Sequence, residues 1–271
     1  MPKAFWWVVV IAAVAIIGRA IYVAVTPAPD LHLPPVAGKP TEPPPPQAAA
    51  EPAIQYPVAR PPEEKPLPAL LTSDATMRNA LNDLLGDKAL VNLFQTNEFV
   101  RHVAATVDNI PRQKIAQRIM PIKPAPGILA VTGKGDDLEI APQNAARYAP
   151  FIRLIDAVDT EKAVGMYVHF YPLFQQAFQE LGYPKGYFND RLIASIDHLL
   201  ATPDVRDPIK LVRPKVLYAY ADPNLEALSA GQKALIRTGS ENAAKIKAKL
   251  REIRAELIKQ AKPEARAAEK K

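Results

Sequence analysis

Fifteen of the 29 prolines in this 271-residue chain fall between Pro27 and Pro68. Proline fixes φ and removes a backbone donor, so a stretch this rich in it builds neither a helix interior nor a central strand. The same stretch carries Pro43 to Pro46 in a row and Ala48 to Ala50, with few large apolar side chains. It buries too little to offset the entropy of ordering, and we expect a disordered, extended linker over 27–68. At ~3.1 Å per residue it reaches at most ~130 Å, enough to carry a domain through or along a cell-wall layer. A PxxP ligand for a partner's groove is the alternative use of such a segment. The linker divides the chain into 1–26, a helical domain over 69–258, and a charged flexible tail over 259–271.

The first segment reads as a membrane anchor. No charged residue occurs from Ala4 to Gly18, and after Arg19 the apolar run resumes to Val25. A helix rising ~1.5 Å per residue crosses a ~30 Å hydrocarbon core in roughly 20 residues, so the length suits one transmembrane helix. Arg19 lies near enough to the far end to extend its guanidinium to the headgroups. Trp6 and Trp7 at one edge and Tyr22 near the other stand where an aromatic belt would place them. Lys3 precedes the span and the next basic residue after Arg19 is Lys39. The positive-inside bias therefore puts the N-terminus in the cytoplasm and the domain in the periplasm of a single-pass inner-membrane protein. A cleaved secretory signal is the rival reading, but Ala24-Val25-Thr26 lacks the final small residue that cleavage favours.

The net charge of +6 would suggest nucleic acid if it were concentrated on a folded face. By region it is +2 over 1–26, −2 over 27–68, +1 over 69–240 and +5 over 241–271. The domain is nearly neutral and the basic C-terminal segment has no aromatic residue to stack on bases, so no nucleic-acid partner is expected. The chain has no cysteine, which removes disulfides, thiol nucleophiles and thiolate metal sites together.

Within the domain the periodicity is mostly helical. Ser73 or Asp74 is placed to cap a helix ending at Gly86, and a second helical stretch from Asp87 to about Asn109 is interrupted near Thr96. Two β-capable runs flank Gly133-Lys134-Gly135, which predicts a small hairpin or β-rich loop. A helix opens at Pro142 and continues past Pro150. Thr160 caps the longest one, to about Gly182, which carries Tyr167, Phe170, Tyr171, Phe174 and Phe178 and bends at Pro172. Asn189 or Asp190 caps a helix through Leu200. Shorter helices open at Asp222-Pro223 and Ser229, and the last at Ser240. The fold class is therefore mainly α, an irregular multi-helix bundle with one small β excursion.

Three stretches carry a resemblance: FVRHVAATVDNIPR from Phe99, GYPKGYFNDRLIASIDHLLATPDV from Gly182, and IKLVRPKVLYAYADPNLEALSAGQKALIRTGSENAAKIKAKLREI from Ile209. They resemble a bacterial family known only as domain of unknown function 3014, and the likeness runs from about Leu70 to Ile253. The resemblance implies a membrane-anchored envelope protein of Gram-negative bacteria. It implies no activity and no functional residues.

Chemical motifs are sparse. Gly127 and Gly133-Lys134 miss the P-loop spacing, and Gly135 stands where a Ser or Thr is needed. Neither HExxH nor GxSxG occurs, and His32, His102, His169 and His198 are dispersed. Asp136, Asp137 and Glu139 lack the alternation of a calcium loop. No cofactor and no metal is expected. Asp190 and Asp197, seven apart, share a helix face with Arg191 and His198 beside them, an arrangement open to acid and base work. The structural alternative is that Asp190 caps the helix, Arg191 pairs with a carboxylate, and Asp197 and His198 anchor the following loop. Arg213, Lys215, Tyr218 and Tyr220 alternate like a half-buried strand that could offer cations and rings to a glycan or peptide. The last helix sets Ile246, Leu250, Ile253 and Leu257 on one stripe with basic residues around the rest, a pattern for docking on its own domain. Together these point to a non-enzymatic binding or assembly module of the cell envelope, partnered by the bilayer and by an envelope protein or the cell wall. An enzyme acting on envelope polymer and a ligand-binding sensor are the alternatives.

Overall fold

The computed structural model describes residues 53–58, 66–214 and 216–261. Helices α1 (Asp74–Leu85) and α2 (Asp87–Leu93) are separated by Gly86, whose φ of 75° favours glycine. The chain then leaves the helix for residues 94–98, as the break near Thr96 requires, and re-enters it in α3 (Phe99–Asn109). Glu98 turns this corner with φ 47°, and its N–H and that of Phe99 donate to the Asp74 carboxylate at 2.7 and 3.1 Å. Asp74 thus caps the start of α3 and not its own helix. Ser73 does not cap α1 either, since its hydroxyl donates back to the Leu70 carbonyl.

A 3-10 segment over Pro142–Tyr148 leads into α4 (Ala149–Ala157), followed by α5 (Thr160–Glu180) and α6 (Phe188–Leu200). The α5 cap is Asp159, one residue before the expected Thr160: its carboxylate accepts the Glu161 N–H at 2.8 Å, while the Thr160 hydroxyl donates to Glu252. The helix runs unbroken through Pro172. Three helices complete the described residues: α7 (Pro223–Glu226), α8 (Ala230–Arg237) and α9 (Ser240–Ala261). Ser229 and Gln232 close a capping box at the start of α8, as the serine signalled. The final helix continues to Ala261, past the point where the charged tail was expected to begin.

Helices α3, α6 and α9 pack around α5, whose Val164, Tyr167, Phe170, Phe174 and Phe178 are all buried. The α9 stripe enters the same core, with Ile246, Leu250 and Ile253 fully buried, so this helix docks on its own domain. Gly231 marks the tightest helix contact. A Cβ there would stand 2.8 Å from Ile110 Cγ2 and 2.9 Å from the Ile110 carbonyl oxygen, so only glycine lets α8 reach the end of α3.

The β region is larger than one hairpin. Strands β1 (Val131–Thr132) and β2 (Glu139–Ile140) pair antiparallel, with Val131 opposite Ile140, around the predicted glycine turn. A second antiparallel pair, β3 (Leu211–Val212) and β4 (Ala219–Tyr220), places Leu211 opposite Tyr220. A bridge between Glu139 and Lys210 and the bond from Leu211 N–H to the Leu138 carbonyl (2.7 Å) join the two. Local patterning shows the first hairpin, but it reads Arg213 to Tyr220 as one strand where the chain forms a second hairpin, and it does not show this pairing between segments remote in sequence. The patch has its own small core of Ile140, Ile209, Leu211, Tyr220 and Ile236.

The expected membrane anchor, with Trp6, Trp7, Arg19 and Tyr22, lies outside the described residues. Among the described residues no helix is long and apolar enough to cross a membrane.

Candidate functional site

The N-terminal end of α6 is where the proline-rich segment meets the domain. Residues 53–58 belong to the stretch expected to be solvated linker, yet they lie along this helix end as a strap. Gln55 and Tyr56 donate their N–H groups to the two Asp190 carboxylate oxygens at 3.0 and 2.9 Å. Asn189 Nδ2 donates to the Tyr56 carbonyl at 2.8 Å, and Val58 N–H donates to the Tyr187 hydroxyl oxygen at 2.7 Å. Tyr56 and Val58 pack on the main core. Main-chain groups that would otherwise bond to water are satisfied here by side chains of one helical turn, which offsets the cost of ordering this piece of linker.

Those side chains are themselves held. The helix opens at Phe188, so Asn189 and Asp190 are inside its first turn and neither is the N-cap. Gln175 on α5 takes the capping role from outside: its Oε1 accepts the Phe188 N–H at 2.8 Å, and its Nε2 donates to the Gly186 carbonyl at 2.7 Å. Asn189 Oδ1 accepts from the Tyr167 hydroxyl at 3.0 Å. Burial above all, then the nearby Tyr187 and Asp190, pushes the Tyr167 phenol well above its ordinary range, so it stays a neutral donor.

Beside the strap lies an open groove of about 340 Å³, lined by Ala53, Gln55, Phe178, Tyr183, Gly186, Tyr187, Asp190 and Arg191. The Phe178 and Tyr183 rings stack at 4.7 Å with 14° between their planes. Gly186 permits that approach, since a Cβ would stand 2.8 Å from Phe178 and 2.9 Å from Tyr183 Cβ. The volume falls at the low end of the range that ligand-binding clefts occupy.

A charge cluster adjoins the groove. Asp108 on α3 is buried, and its Oδ2 takes Arg112 Nη2 at 2.5 Å and the Tyr183 hydroxyl at 3.4 Å. Arg191 Nη2 lies 3.0 Å from Asp108 Oδ1 but donates to the Asp108 backbone carbonyl at 2.7 Å. Asp108 Oδ1 and Arg191 Nε consequently have no hydrogen-bond partner among the described residues. Two guanidinium groups share the Asp108 carboxylate, and the Asp190 carboxylate stands on the groove wall beside them.

The other candidates stand elsewhere. Asp197 shares the α6 face of Asp190 but seven residues on, roughly 10 Å along the axis. There it pairs with Arg254 of α9, at 2.5 Å to Nε and 3.0 Å to Nη2. His198 Nε2 lies 2.7 Å from the Ser229 hydroxyl, and burial first, then the Arg191 charge, lowers its pKa. Neither lines the groove. Arg191 pairs with a carboxylate, as expected of it, and that carboxylate is Asp108. Arg213 lies over the Tyr218 ring at 5.5 Å and donates to the Val216 carbonyl. Tyr220 is buried under Arg237 and donates to the Lys233 carbonyl, which takes it off any open surface. Lys215 lies outside the described residues. Among the described residues no three carboxylates or imidazoles are grouped to hold a metal.

Asp108 and the strap are the features that sequence reasoning missed. Both left a trace. Asp108 is an acid on the apolar face of α3 with an arginine four residues on, and Ile54, Tyr56 and Val58 alternate inside the prolines like a short strand.

The family described as "Protein of unknown function (DUF3014)" matches residues 99–254, more than half of the chain and the part that holds the charge cluster, both ends of α6 and the groove lining apart from Ala53 and Gln55. No curated protein and no solved structure matches.

Proposed function

The chain belongs to this family of unknown function, and from that premise and the site geometry we propose that it is a non-enzymatic binding or assembly module of the cell envelope. In this reading the N-terminal helix anchors it in the inner membrane and the proline-rich linker holds the domain in the periplasm. The observation that carries the reading is how the acid–base candidates are used. Asp190 binds the strap, Asp197 is paired with Arg254, and His198 is bonded to the capping serine of α8. Each group joins two parts of the chain. The open groove presents Tyr183, backed by the buried Phe178 ring, and an arginine, residue types that concentrate at recognition surfaces.

The test is crosslinking in living cells, followed by purification of the full-length protein and of a version ending at Pro68, with mass spectrometry of what each retains. The reading expects an envelope protein held by the full-length form, absent with the shortened one and reduced by Tyr183→Ala. Turnover of purified wall material that disappears with Asp190→Ala would overturn it in favour of an enzyme.

A further inference from the structure

The groove beside the strap is continuous with an interface the chain has already made. The strap enters from its N-terminal side, where Ala53 and Gln55 form part of the groove wall. The residues immediately before Ala53 are Pro43 to Pro46, then Gln47, three alanines, Glu51 and Pro52. Their chemistry complements the groove in two respects. Tyr183, exposed and stacked on the buried Phe178, offers with half-buried Tyr187 the flat apolar surface on which proline rings pack in grooves that read polyproline chain. Arg112 and Arg191 share the single carboxylate of Asp108, and each guanidinium is partly exposed, so Glu51 can pair with them.

We propose that this groove seats the linker residues directly preceding Ala53, with Pro52 on the exposed Tyr183 ring and the Glu51 carboxylate facing Arg112 and Arg191. The seated occupant is the same chain. A segment tethered next to its site has an effective concentration that a free peptide rarely reaches, so weak contacts suffice. The consequence is a shorter spacer. With the strap held over 53–58 the free length runs from Pro27 to Pro52 and reaches at most ~80 Å, compared with ~130 Å for a linker free to Pro68, and seating Glu51 and Pro52 brings it to ~75 Å. The distance between anchor and domain is then set by this contact as well as by the number of residues.

The absence of cysteine provides a clean background for the test. Full-length protein in membranes carries Ala50→Cys with Lys185→Cys, an exposed position next to Gly186 of the groove, and crosslinking by a short bismaleimide is timed. A second form replaces position 50 by Gly38→Cys as the remote-linker reference. Position 50 is expected to close within the chain about tenfold faster than position 38. Proximity to Ala53 alone favours position 50, so the deciding variant is Glu51→Gln, which leaves chain length and the folded domain unchanged. It is expected to slow closure severalfold, and Arg191→Gln with Arg112→Gln to do the same. Closure indifferent to Glu51→Gln, or bonds formed only between separate chains, would overturn the proposal.

Discussion

The two ends of α6 are built from similar residues and do different work. At the N-terminal end, Asn189 and Asp190 reach outward to bind the main chain of a linker segment, next to an open aromatic groove. At the C-terminal end the polar groups close the fold on itself. Asp197 pairs with Arg254, His198 meets Ser229, and Gln232 donates to the His198 carbonyl. Lys247, itself buried, donates to the Thr202 carbonyl and to Asp204, so its ammonium sits where the helix dipole is negative. The lesson is that residue type and helical face do not assign a role. What each carboxylate meets at its own end of the helix assigns it.

This contrast yields graded expectations. The largest effect belongs to the apolar support under the open end. Phe188 is fully buried, stacked on Phe174 at 5.8 Å and close to Phe178, and Phe188→Ala should cost about 3–5 kcal/mol in denaturant unfolding. A loss below ~1 kcal/mol would mean that the open end is not braced from beneath. At the closed end, Gly231→Ala forces a methyl against Ile110 and Leu199, and the overpacking should cost about 1–3 kcal/mol. The Asp197–Arg254 pair is partly exposed on both sides, so Asp197→Asn is expected to lower stability by no more than about 1 kcal/mol, less in high salt.

The smallest effect is a pH dependence at the closed end. The folded state lowers the His198 pKa, so below the ordinary value near 6.5 the unfolded chain binds the proton more readily. The contribution of this group is complete above pH ~6.5 and is lost as the pH falls through the lowered folded value. His198→Gln should flatten the decline in melting temperature over that interval. An unchanged slope would place its origin in other groups.

Much of the helical part was legible because its signals are local. The glycine at 86, the serine at 229 and the 3–4 spacing of Ile246, Leu250, Ile253 and Leu257 each act within a turn or two of their own position. Caps that depend on another element were not legible. Asp74 sits in a good place to cap α1 and in fact caps α3, and Gln175 caps α6 from across the α5 interface. The joining of two hairpins through Glu139 and Lys210 is likewise a long-range event with no local signature. The same limit explains the site. Asp190 and Asp197 were correctly placed on one face, but their partners come from residues 55–56 and 254, and only the folded chain brings those together.

Asp190 holds the linker through the Gln55 and Tyr56 amides, and this role has a direct test. It is tested most directly by amide hydrogen exchange over residues 53–58 in the full-length protein and in Asp190→Ala. Gln55 and Tyr56 are expected to be protected in the parent protein and to exchange at close to free-chain rates in the variant, while amides of α5 and the melting temperature change little. Gln55 and Tyr56 amides exchanging freely in the parent protein, or remaining protected without the Asp190 carboxylate, would contradict it.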